Sequence, residues 1–147
     1  MRWKLLLSFG VGLLVAAAGP ETGTNQGELE KFTGTWQAVA IERDGKTVPK
    51  DEVAKVKLVV KGERYTFHLG EQTIRGTHKL DPAKTPKQID AVRTEGPGAG
   101  ETLKGIYELT ADTFKVCFAD AGKDRPTAFR TTAGGGHRLL ELKRERP

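Results

Sequence analysis

Serine is almost missing from this chain of 147 residues: Ser8 is the only one, and it sits inside an N-terminal apolar segment. The remaining residues hold no serine nucleophile, which excludes a Ser-His-Asp hydrolase. Cysteine is as scarce. Cys117 stands alone, so no intramolecular disulfide can form and packing must hold the fold. Flanked by Val116 and Phe118, this thiol has the setting of a small buried hydrophobe and lacks the neighbouring cation or helix N-terminus that activates a cysteine. His68, His78 and His137 make no His-x-His spacing and no Cys-x-x-Cys exists, so no zinc site is expected. The aspartates are dispersed rather than gathered into a calcium loop. Gly100 and Gly105 have the glycine spacing of a phosphate loop, but Ile106 stands where its lysine is required. No catalytic residue, metal or cofactor follows from these patterns, and a non-enzymatic protein is expected.

A membrane-spanning run is also missing. The longest apolar stretch, residues 5–18, has about 14 residues, against the roughly 20 that a helix needs to cross a bilayer. Arg2 and Lys4 precede it and Ala16, Ala17 and Ala18 close it, which is the pattern of a signal peptide cleaved after Ala18. No cysteine near that point offers a lipid anchor. Residues 1–18 are therefore read as a signal peptide, with export to the periplasm or the cell exterior and no stable membrane insertion. About 129 residues remain, enough for one domain with its own core. Residues 19–28 contain Gly, Thr, Asn and Gln without an apolar period and read as a flexible leader, so the domain is placed at 29–147. With Arg2 and Lys4 removed, 22 basic residues stand against 19 acidic ones and the formal charge of +5 falls to +3. The basic residues are interspersed with acidic ones, which describes a solvated face rather than a nucleic-acid surface. A monomer is expected.

What the chain has in quantity is two-residue alternation. Val56, Leu58 and Val60 alternate with lysines, Gly62 and Glu63 make a turn, and Tyr65, Phe67 and Leu69 continue on the same face. Further strand patterns cover 73–80, 88–94, 103–109, 113–119, 126–132 and 138–144, separated by Gly, Pro and Asp turns. Residues 49–54 are the one short helical turn expected in the domain. If Gly70 and Glu71 form a two-residue turn, the inward row runs on through Ile74, Gly76 and His78, while His68 points the other way. Eight or nine short antiparallel strands imply an all-β meander that closes into a barrel, because closure removes exposed edges.

Several blocks then stand in a specific order: Gly34-Thr35-Trp36, Asp44-Gly45, Gly105-Ile106-Tyr107-Glu108-Leu109, Cys117, Arg125-Pro126-Thr127 with Phe129, and Lys143-Arg144. Over roughly residues 29–144 this arrangement resembles a lipocalin-like domain family of exported proteins abundant in planctomycete bacteria. The Thr-Asp-Tyr corner motif of the wider lipocalin group does not occur in the chain. The resemblance implies a single lipocalin-like β-barrel of about eight strands and carries no activity or ligand with it. It also implies a cation from the last strand laid over Trp36, for which Arg144 and Arg138 are both placed. Independently of the family, Gly34 lets the chain turn into the first strand, and Trp36 has the bulk to plug one barrel end.

Two functional readings follow. In the first, the barrel is a calyx for a small, mostly apolar ligand, with Tyr65, Phe67, Tyr107 and Phe118 among the lining residues. Gly76 and Gly105 would leave space in it, and Arg125, held extended by Pro126, would meet an acidic group of the ligand at the rim. The bland reading of Arg125 is a structural ion pair with Asp124 or another carboxylate. In the second reading, side chains fill the barrel, and its loops recognise an envelope protein partner.

Overall fold

The computed structural model describes residues 21–146; the segment read as a signal peptide lies outside them. Alternating apolar residues produce the strands expected of them, in a closed antiparallel barrel. The elements run in chain order as helix α1 (Glu21–Phe32), β1 (Gly34–Arg43), β2 (Lys46–Thr47), the short α2 (Lys50–Val53), β3 (Val56–Lys61), β4 (Arg64–Leu69), β5 (Gln72–Asp81), β6 (Lys87–Glu95), β7 (Thr102–Leu109), β8 (Thr113–Ala119) and β9 (His137–Arg144). Each strand from β3 onward pairs with the next, and β1 pairs with both β3 and β9. Eight strands thus form the ring, while β2 is a ribbon of two residues folded back on β1. Closure leaves no edge among the eight for another chain to extend.

Register is set by tight turns. Phe67 stands opposite Ile74 and Leu69 opposite Gln72, so the inward row crosses from β4 to β5 without changing face. Two bulges adjust the wall. One lies at Val39, where Ala38 pairs with Leu142 and Ala40 with Glu141, and the other at Thr94, between the pairs Arg75–Glu95 and Gly76–Arg93. Such insertions bend the strand and increase its local twist. Val39 is turned outward as a result and is 45% exposed.

The flexible leader expected at 19–28 is, over its described part, the body of α1. Glu28 and Phe32 are buried, and Leu29 packs against the core. This i, i+1, i+4 spacing lays one stripe of the helix across the barrel end, and Trp36 Nε1–H donates to the Phe32 carbonyl at 2.9 Å. Tertiary burial overrides the weak helix propensity of the Gly-Thr-Asn segment. The strand expected at 126–132 is absent too. Residues 120–136 form an irregular strap carried across the outside of the barrel, held there by side chains rather than by a ladder. Thr131 Oγ1 donates to Glu42 at 2.6 Å and accepts from the Gly45 amide at 2.8 Å. Beneath the strap lie the outward residues Ile106, Cys117 and Ala119, all buried, and the Cys117 thiol faces the Arg130 carbonyl at 3.7 Å. Burial pushes this thiol's pKa up, away from the thiolate that reactivity requires.

Candidate functional site

One end of the barrel is sealed. Phe32, Trp36 and Phe114 form an aromatic plug, with Phe32 and Phe114 ring centroids 4.5 Å apart. Arg144 Cζ lies 4.2 Å from the centroid of Trp36, so of the two arginines placed for this contact, Arg144 makes it. Its guanidinium also donates to the carbonyls of Thr33 at 2.7 Å and Ala111 at 2.8 Å, and to that of Lys31. These include carbonyls at the end of α1 that have no partner within the helix, where a cation is favoured. Gly34, at φ +146°, leaves the room through which this arginine passes, since a Cβ there would collide with the guanidinium. Beside the plug, Glu28 accepts from Tyr107 Oη at 3.0 Å and from Lys87 Nζ at 2.9 Å. Burial first, and the Glu28 charge second, drive the Tyr107 pKa far upward. Tyr107 was expected to line a pocket; instead its ring belongs to the packed floor and its hydroxyl to Glu28.

Above the floor is a cavity of about 120 Å³ that opens at the other end. Its wall is mainly apolar and includes Tyr65, Phe67 and Phe118, three of the residues expected there. The spaces left by Gly76 and Gly105 are already taken. A Cβ on Gly76 would strike the Tyr65 ring and the Val92 carbonyl, and one on Gly105 would strike the Phe118 ring. Each glycine thus lets an aromatic ring lie flat on the neighbouring strand.

Besides Tyr65, whose hydroxyl faces the Val92 carbonyl at 3.4 Å, four polar side chains reach this cavity: Arg43, Arg93, Arg138 and His78. The alternation of β1, β6 and β9 turns the three arginines inward near the open end. Arg93 is held by Glu101 at 3.5 Å and Arg138 by Asp120 at 3.1 Å. Arg43 has no carboxylate within ion-pair distance among the described residues, and it stands directly opposite Arg138 in the β1–β9 register. Like charges facing each other across a strand pair are unfavourable unless a counter-charge joins them, and Asp120 supplies one to Arg138.

Near the floor, His78 is 3% exposed. Its ring meets Phe32 edge-on, with centroids 5.1 Å apart, and Tyr65 at 6.3 Å. Neither ring nitrogen has a hydrogen-bond partner among the described residues. Burial pulls its pKa down to about 4, opposed to a lesser degree by the nearby Gly62 backbone. The imidazole is therefore neutral at pH 7, with one N–H to donate and one nitrogen to accept.

Arg125 is not at the rim. It lies on the outer wall, donating to the carbonyls of Ile89 at 3.0 Å and Gly105 at 2.8 Å and pairing with Asp90 at 2.6 Å. It pins the strap to β6 and β7, the bland alternative, with Asp90 rather than Asp124 as partner. His68 faces Thr73 at 3.4 Å, off the inward row. Among the described residues no group of three His, Cys, Asp or Glu side chains could hold a metal ion, and no helix is long and apolar enough to cross a membrane. Comparison with protein-family models, curated proteins and solved structures finds no match for the chain.

Proposed function

We propose that this is an exported, non-enzymatic binding module that holds one small ligand, with an apolar body and an anionic group, inside the barrel. The observation carrying the reading is the cavity of about 120 Å³, apolar along its wall and bordered by Arg43, Arg93 and Arg138. An apolar cavity of about 150 Å³ accommodates benzene, so the size matches a single ring or a short aliphatic chain. The arginines supply charge-assisted donors for a carboxylate, and Arg43, exposed at the mouth, has no carboxylate within ion-pair distance among the described residues. The compartment follows from residues 1–18, whose charged start, apolar core and small-residue end match a cleaved signal.

A protein-docking module draws less support. Val39 is the exposed large apolar side chain among the described residues, and a single such residue does not make a patch for a partner. Native mass spectrometry of the protein recovered from its own envelope fraction, followed by denaturing extraction, tests the calyx. The expected result is a reproducible extra mass, released on unfolding, that belongs to a monocyclic or short-chain acid. A clean unliganded mass, together with no saturable uptake of benzoate by the purified protein, would overturn the reading.

A further inference from the structure

The geometry points to His78 as the specificity-determining residue of this cavity, one that selects ligands carrying an uncharged hydroxyl at the end opposite their carboxylate. The inference rests on the calyx reading and adds the ligand's second polar group to it. A buried imidazole with both nitrogens unpartnered is costly, because each forgoes the hydrogen bonds it makes in water. Buried polar groups in folded proteins are nearly always satisfied. His78 lines the cavity, and neither ring nitrogen makes a hydrogen bond of good geometry among the described residues, although the Gly62 backbone lies close to the ring. A water here would find few other partners, since the surrounding wall is mostly carbon and a buried water generally needs about three. A ligand hydroxyl is better matched, because it donates to one nitrogen while its carbon body fills the apolar space. A neutral imidazole also cannot hold a carboxylate as an ion pair, which leaves that group to the arginines.

The register gives a lower bound on the separation of the two polar ends. Arg93 stands opposite Gly76, and Ala91 opposite His78, so Arg93 springs from the wall two residues nearer the mouth, about 7 Å of strand rise, and its guanidinium reaches on toward Glu101. That interval suits one six-membered ring substituted at opposite positions. Burial raises the pKa of Tyr65, and the Arg93 charge opposes the shift. The ligand class is thus a para-hydroxylated aromatic carboxylate or a short ω-hydroxy acid of equal length.

4-Hydroxybenzoate and benzoate are the probes, titrated into the full protein by calorimetry while the His78 ring nitrogens are followed by ¹⁵N NMR. The expected outcome is tighter binding of 4-hydroxybenzoate by about tenfold, the worth of one buried hydrogen bond, with a shift of the His78 nitrogen signals that benzoate does not produce. In His78→Phe the two probes should bind alike, whereas His78→Gln, which keeps a donor and an acceptor, should retain part of the preference. If both probes saturate the wild-type protein equally and the His78 signals do not move, the calyx stands and the role of His78 falls. If neither probe binds, the role of His78 falls, and the calyx falls with it when the protein from the envelope fraction also gives a clean unliganded mass. The NMR measurement needs only wild-type protein, so a variant that fails to fold leaves the test intact.

Discussion

His78 shows how one residue can couple burial to acidity. Its pKa is about 6.5 when solvated and about 4 in the barrel. Between these values the unfolded chain binds a proton that the native state refuses, so stability is full above pH 6.5 and declines as the pH falls toward 4. The gap corresponds to about 3 kcal/mol. Urea denaturation at a series of pH values from 7 to 4 should show that decline, and His78→Phe should remove most of it. An unchanged pH dependence in the variant would mean that other groups carry the acid sensitivity. The inward placement of His78 was legible from alternation alone, because a two-residue turn at Gly70 preserves the face. Its lack of partners was not. Whether a nitrogen is satisfied depends on Phe32 and Tyr65, which reach it from a helix and from a neighbouring strand.

At the scale of elements, α1 and β9 depend on each other through Arg144. Replacing it with alanine strips a cation from Trp36 and leaves carbonyls of Lys31, Thr33 and Ala111 without their donor. The expected loss is about 1–3 kcal/mol, measured by denaturant unfolding. Arg144→Lys should recover less than half of it, because an ammonium cannot fork to several carbonyls while lying on an indole. A loss of only a few tenths would show that the helix is anchored by Phe32 and Glu28 instead. The strands were readable because each carries its own alternation, and even the β3–β4–β5 register could be written from turn length. Helix α1 was hidden because the residues ahead of Glu28 are turn formers, and its stabilising contacts are distant in sequence: Glu28 meets Lys87 and Tyr107. The strap was hidden for the converse reason. Residues 126–132 alternate like a strand, yet they cross the outside of a ring whose hydrogen bonds are already complete.

For the whole molecule, the deciding feature is the seam between β1 and β9, which pair from Trp36–Arg144 to Arg43–Arg138. Deleting residues 137–147 removes one wall of the cavity and exposes two strand edges, so the shortened chain should lose cooperative unfolding and near-ultraviolet circular dichroism. A cooperative transition in that chain would show that seven strands suffice. The site was less legible than the fold for a reason that belongs to this scale. A barrel has an inside only once its ends meet, and Arg43 faces inward only because the bulge at Val39 shifts the phase of alternation in β1. The seam also imposes an order in time. A polypeptide made from its N-terminus offers β1 early and its partner last, so the ring stays open until the final strand has been delivered. Until then the cavity does not exist, because Arg138 and Leu140 reach it from the strand that arrives last of the eight.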